Sequence, residues 1–298
     1  MPELPEVEGL ARFLRERTVG TVVAAVEVGA VSVLKTYDPP PSALAGLTVT
    51  GVGRYGKWIA LETDGLFLVW HLSKAGWVRW SDGLSPAPLK PTGKSTVALR
   101  VRLDDGSSQG EPAREKLPGF DLTEAGTKKR LAVHIAADVR SVPQIAGLGP
   151  DPLDAAFDRE AFGRILAGRN QQIKGVLRNQ SLLAGVGNAY SDEILHGAKL
   201  SPFAVASKLT VEQVDALYQV MRQILPAAVA ATEGKPAKEL KDAKRAAMAV
   251  HGRTGEDCPV CADVVREVSF ADSSLQYCAT CQTGGKPLAD RRTSRFLK

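Results

Sequence analysis

Cysteine is scarce in this sequence: there are four in 298 residues, all between positions 258 and 281. None remains elsewhere to pair with, which excludes a disulfide framework. A chain of this length can bury an adequate core without such staples. Long apolar runs are missing too; none approaches the ~20 residues that a membrane helix needs. The opening MPELPEVEGLARFLRERT is acidic and then amphipathic. It lacks the basic start and apolar stretch of a secretory leader. The expectation is a cytoplasmic protein with no membrane partner. Internal repeats and low-complexity tracts are also absent.

The charge that is present is mildly basic: 38 Lys and Arg against 33 Asp and Glu, a net +5 and a pI near 9.0. That balance suits a polyanionic partner, and equally a soluble protein with a positive surface. The length suggests two domains of roughly 150 residues each.

Hydrophobic patterning divides the chain. Residues 5–17 read as a helix, with Leu10, Phe13 and Leu14 on one face and Arg12, Arg15, Glu16 and Arg17 between them. Pro5 suits an early helical position. Short segments rich in Val, Ile and aromatics follow at 21–28, 48–64, 66–72, 76–80, 95–103 and 130–139. They predict an antiparallel sandwich or barrel. Two Gly/Pro/Ser-rich stretches, 81–94 and 104–128, read as loops. The proline-dense segment VPQIAGLGPDPL reads as an interdomain linker. Beyond it the pattern is helical at 154–167, 171–183, 188–198, 210–232 and 236–249. The predicted class is α+β. Its parts are a β-sandwich domain over 1–141, a linker over 142–153, a helical domain over 154–250 and a cysteine-bearing module over 251–298.

The cysteines are spaced Cys258-x2-Cys261-x16-Cys278-x2-Cys281. Two CxxC knuckles at this separation match a four-thiolate zinc site, with the intervening DVVREVSF and SLQYC as a strand pair. No fifth ligand is evident; His251 lies seven residues upstream of the first cysteine. A closed four-thiolate site leaves no open position for chemistry, so one structural zinc is expected. The tail carries Lys286, Arg291, Arg292, Arg295 and Lys298, suited to phosphates or simply solvated.

The N-terminus offers a different chemistry. Pro2, once Met1 is removed, presents a secondary amine that can form an iminium with a masked aldehyde. An α-amino group titrates near 8, so a modest shift frees it at neutral pH. Glu3 and Glu6 stand beside it and could shuttle protons. On chemistry alone the plainer reading, an acidic start that caps the first helix, is favoured two to one.

The whole string MPELPEVE, followed by this order of sandwich, linker, helices and cysteine hairpin, closely resembles the formamidopyrimidine-DNA glycosylase/endonuclease VIII family over nearly the full chain. The resemblance implies a base-excision-repair enzyme of the bacterial nucleoid, a DNA glycosylase with abasic-site (AP) lyase activity. Such an enzyme acts as a monomer clamped on double-stranded DNA that carries a damaged base or an abasic site. It implies Pro2 as the Schiff-base nucleophile, Glu3 as the general acid on the deoxyribose and Glu6 as a further acidic position that orients the amine. Lys57, in GRYGKWIALE, is similar to the family's phosphate-gripping strand lysine. Gly185-Val186-Gly187-Asn188 resembles the turn of a DNA-binding helix–two-turn–helix, in which Gly187 lets the backbone approach a phosphate and Asn188 binds the same phosphate region as Lys57. The implied chemistry flips the nucleotide out, displaces the base through Pro2 and breaks the strand by β- or β,δ-elimination.

Four departures bear on the substrate. Ser273 stands where many members carry a phosphate-binding finger Arg, unless Arg266, Arg291 or Arg292 replaces it. Lys74 takes the place of a Met that fills the gap left by the flipped base. Asp138-Val139-Arg140-Ser141-Val142-Pro143 occupies the loop that reads the opposite cytosine, keeping Arg140 alone. The stretch 233–257 is shorter than the cover over a flipped purine. Together they favour an endonuclease VIII-like choice of oxidised pyrimidines, abasic sites or distorted lesions over 8-oxoguanine. The competing readings are a non-catalytic damaged-DNA-binding protein and, more remotely, a zinc-ribbon module joined to an unrelated N-terminal domain.

Overall fold

The computed structural model describes residues 1–89, 95–104, 116–125, 129–270 and 273–290. The chain forms two compact units. The first comprises Met1–Pro2, Glu6–Gly147 and Thr232–Lys241; the second comprises Glu3–Pro5, Leu148–Ala231 and Asp242–Lys298.

The chain starts on helix α1 (Leu4–Thr18), with Glu6 in its first turn and Arg15 and Arg17 in its last, matching the helix dipole. Its buried face carries Leu10, Ala11 and Leu14. Arg15 donates from Nε to the Val52 carbonyl at 2.9 Å, and the Arg54 Nε donates to Glu8 at 2.8 Å, which fixes the helix to the sheet beside it. Burial pushes the Glu8 carboxyl up, but Arg54 and Arg12 outweigh it and hold it below its ordinary value.

Among the described residues of the first unit, eight strands follow: β1 (Val22–Val28), β2 (Val49–Tyr55), β3 (Trp58–Thr63), β4 (Phe67–His71), β5 (Gly76–Ser81), β6 (Val97–Asp104), β7 (Gly119–Glu124) and β8 (Ala132–Ala136). They form two antiparallel four-stranded sheets, ordered β1-β6-β7-β5 and β2-β3-β4-β8. Ile59, Leu61, Leu68, Trp70, Val133 and Ile135 of one sheet share a single core with Leu99, Val101, Leu103, Phe120 and Leu122 of the other. Alternation explains the sorting. In β6 the apolar residues enter that core, while Arg100 turns to Asp121 (2.7 Å) and Arg102 pairs with Glu27. The sandwich predicted from sequence is therefore present, with two local corrections. The single segment 48–64 is two strands joined at Gly56-Lys57, where Gly56 takes a left-handed φ of +58°. The stretch read as a loop over 104–128 contains β7, whose Phe120 and Leu122 are two inward residues in a polar context. Within the two predicted loops, residues 90–94, 105–115 and 126–128 lie outside the described residues.

A short helix α2 (Pro143–Ala146) follows β8. The second unit is helical, with α3 (Arg159–Leu166), α4 (Ile173–Arg178), α5 (Asn188–Gly197) and α6 (Val211–Ala230). The helix predicted over 154–167 starts later because the Asp158 side chain caps it by accepting from Ala161 N. The one predicted over 171–183 stops at Arg178, and Gln180 then accepts from Gly185 N to organise the turn. Thr210 and Gln213 form a reciprocal capping box on α6. Phe162, Leu177, Tyr190, Ile194, Leu217, Met221 and Leu225 build this unit's core, joined by Leu4. Helix α7 (Leu240–Ala247), hairpin strands β9 (Val265–Ser269) and β10 (Ser274–Cys278) and a short α8 (Ala279–Thr283) complete the described chain. No helix among the described residues is long and apolar enough to cross a membrane.

Candidate functional site

Helix α5 organises the second unit's polar groups. Its first turn leaves backbone N–H groups unpaired by the helix itself, and the chain's own Glu3 fills that role. The carboxylate accepts from Gly187 N at 2.7 Å, Ala189 N at 2.9 Å and Tyr190 N at 3.3 Å. The Leu4 N–H donates to the Gly185 carbonyl, which registers the N-terminal segment on the same turn. The glycines are required by this seating. Gly185 has φ +85°, and a Cβ on Gly187 would sit 2.4 Å from the Glu3 carboxyl carbon. Thus Glu3 is the anion seated at this helix start.

Lys244, on α7, brings its ammonium to 3.8 Å from Glu3 and 4.8 Å over the Tyr190 ring. Lys244 is a site residue that sequence reasoning missed; it stands in a run of lysines with no motif around it.

In the first unit, Pro2 is buried behind an exposed Met1, and Glu6 is buried in the first turn of α1. Lys57 is only 6% exposed, directly after Gly56 in the β2–β3 turn. The next residue, Trp58, pairs across the strands with His71, and their rings pack 4.9 Å apart. Burial, and secondarily the Lys57 charge, push the His71 imidazole down to about 4, so it is neutral at physiological pH. His71 also escaped the sequence reading as a site residue. Lys74 is exposed on the turn after β4, behind Ser73 at φ +52°. Arg140 is exposed in a short helical turn whose cap, Asp138, accepts from the Arg140 N–H. The Tyr55 phenol is pushed up by burial and Glu62 while Arg140 acts against them, which puts Arg140 near the β2–β3 turn.

Asn188, at the start of α5, donates from Nδ2 to the Ser274 carbonyl on β10 at 2.7 Å, and its buried Oδ1 has no partner. Its amide is therefore committed in part to the hairpin. Four residues on, Asp192 bonds the buried Lys174 ammonium at 2.6 Å and His251 Nδ1 at 2.8 Å. Glu193 accepts from the N–H groups of Ala249, Val250 and His251. Burial pushes the Lys174 amine down, and Asp192 opposes that shift.

The hairpin brings Cys258, Cys261, Cys278 and Cys281 together, with all four sulfurs within 4.8 Å of one another. Four thiolates around a zinc ion at ~2.3 Å stand about 3.8 Å apart. The Cys258–Cys281 separation of 3.9 Å fits, and Cys261–Cys278 at 3.3 Å needs a small opening. The donor set suits a tetrahedral metal. Ser273 is described, at the hairpin turn, where its carbonyl accepts from Phe270 N. Arg291 and Arg292 lie outside the described residues.

The chain is similar to known proteins. Residues 1–111 match the formamidopyrimidine-DNA glycosylase N-terminal domain, and residues 148–239 match the formamidopyrimidine-DNA glycosylase H2TH domain. An uncharacterized formamidopyrimidine-DNA glycosylase-like protein of Mycobacterium tuberculosis is 56% identical over 52% of this chain and 98% of its own length. The formamidopyrimidine-DNA glycosylase of Moorella thermoacetica is 35% identical over 90% of this chain and 94% of its own. The Lactococcus lactis enzyme, solved in complex with DNA containing an oxidized pyrimidine, superposes with a TM-score of 0.80 at 26% identity, covering 95% of this chain and 100% of that one. The chain belongs to the formamidopyrimidine-DNA glycosylase/endonuclease VIII family.

Proposed function

We propose that this protein is a base-excision-repair DNA glycosylase with AP lyase activity, acting through the amine of Pro2 on damaged bases and abasic sites in double-stranded DNA, as a cytoplasmic, nucleoid-associated monomer. The observation that carries the reading is the seating of Glu3. The residue bonded to Pro2 is locked by three backbone N–H groups onto a helix start, on glycines that tolerate no side chain there. A flexible acidic terminus would not need such a cradle.

Removal of Met1 frees the Pro2 amine. It attacks C1′ of the flipped nucleotide, the C1′–base bond breaks, and ring opening leaves an iminium between proline and sugar. The iminium acidifies the C2′ proton; its loss expels the 3′ phosphate, and a second elimination can expel the 5′ phosphate. Glu3, held at the helix start, acts as the general acid that protonates the deoxyribose ring oxygen as the ring opens, and Glu6 orients the amine. Lys57, Lys74, Arg140 and Asn188 supply phosphate and strand contacts, with Arg291 and Arg292 as tail contributors. Cys258, Cys261, Cys278 and Cys281 hold one structural zinc, which would keep the hairpin's shape and take no part in bond breaking. Lys74, Ser273 and the lone Arg140 favour oxidised pyrimidines or abasic sites over 8-oxoguanine.

The same departures at Lys74 and Ser273 favour a second reading, a damage-binding protein without turnover. An abasic duplex treated with borohydride separates the two. A lyase gives a covalent protein–DNA adduct that disappears when the Pro2 terminus is blocked. A binder with a free Pro2 terminus gives none.

A further inference from the structure

We propose that His196 is a positioning residue of the metal centre, donating an imidazole Nε2–H hydrogen bond to the Cys258 thiolate and so tying the end of α5 to the first cysteine knuckle. The inference rests on the reading of the four cysteines as a metal site. His196 is 5% exposed and Cys258 is 2% exposed, and the Nε2–Sγ distance is 3.2 Å. A metal-bound thiolate carries no proton and can only accept, which assigns the hydrogen to Nε2. Four thiolates already fill a tetrahedron, so the imidazole serves the sulfur rather than the ion. Four thiolates on a divalent ion also leave excess negative charge, which a buried donor offsets.

Two further residues place His196 in a set. On the same helix, Asp192 holds the His251 ring and Glu193 takes three consecutive N–H groups from Ala249 to His251. His196, one turn on, takes the cysteine that follows this segment. One face of α5 thus clamps the chain from Ala249 to Cys258 at its beginning and its end. Sequence gives no hint of this: a histidine near a helix C-terminus reads as a charge that complements the dipole.

The test uses the zinc-loaded full chain and compares His196→Met, which fills the space without a donor, with His196→Gln, which keeps an N–H. The rate of zinc transfer to a chromophoric chelator is measured, together with the sulfur-to-cobalt charge-transfer band of the cobalt-substituted proteins. His196→Met is expected to release zinc about 10- to 100-fold faster and to shift the band, while His196→Gln recovers most of both. Release at the wild-type rate with an unshifted band in His196→Met would overturn the proposal. Should His196→Met fail to fold, cadmium-113 substitution of the wild-type protein decides. Scalar coupling between the metal and the His196 Nε2 proton is expected, and its absence with a bound ion overturns the hydrogen bond. A wild-type chain that binds no metal overturns the metal reading itself, and this inference with it.

Discussion

Both units bury charge, but they arrange it differently. In the sandwich the buried charges pair locally across neighbouring strands, Arg100 with Asp121 and Arg102 with Glu27. Arg79 joins the first pair on Asp121, and the second also holds the neighbouring segment through Ser85, Ala87 and Leu89, all within the same unit. In the second unit Glu3, Lys174, Asp192, Glu193, Asn188 and His196 all meet on or around the ten residues of α5. There each charge supports backbone from distant parts of the chain. The difference teaches that the sheet is stabilised mainly by apolar burial with replaceable ion pairs, whereas α5 is a polar hub that fails as a unit.

The largest expected effect follows from breaking the hub. Asp192→Asn leaves the Lys174 ammonium, 4% exposed, without its counter-charge and weakens the His251 contact. Loss of one partner of a buried pair costs about 3–5 kcal/mol, to be read from urea melts. Replacing the sandwich pair jointly, Arg100→Leu with Asp121→Leu, should change stability by less than ~1 kcal/mol, since apolar substitutes for a buried ion pair are often neutral or better. A joint loss as large as that of Asp192→Asn would erase the distinction between the units.

A middle-sized effect is expected at the cradle. Gly187→Ala puts a methyl 2.4 Å from the Glu3 carboxyl carbon, whose oxygens are held in place by three backbone N–H groups. The cost in stability should be about 1–3 kcal/mol, while borohydride trapping on an abasic duplex falls more than tenfold. Unchanged trapping would detach Glu3's seating from the chemistry.

The smallest effect concerns His71. Its folded value near 4 lies below the ordinary 6.5 because of burial first and Lys57 second. The unfolded chain therefore binds a proton that the folded chain refuses. The associated stability is complete above pH 6.5 and is lost as pH falls from there toward 4. Lys57→Met should raise the His71 midpoint by only the smaller share, as followed by its imidazole proton resonance. A full return to 6.5 would mean that charge, not burial, dominates there.

Local features were legible in the sequence because their information is local. Two CxxC knuckles fix a four-sulfur cluster by spacing alone, and Val- and Ile-rich stretches bounded by glycine announced most of the sandwich. Strand β7 was hidden because its two inward residues, Phe120 and Leu122, sit in a long polar stretch. The seating of Glu3 was unreadable because its partner Gly187 lies 184 residues away. Lys244 and His196 were unreadable for the same reason: a lysine among lysines and a lone helical histidine acquire meaning only from what folds against them.

The central claim is that the proline amine does the chemistry. The most direct measurement is to reduce the protein–abasic DNA adduct, digest both components and locate the sugar remnant by tandem mass spectrometry. The account predicts the remnant on the N-terminal peptide, on the Pro2 nitrogen, with Met1 gone. A remnant on a lysine side chain, or no adduct from a chain that begins at Pro2, would contradict it.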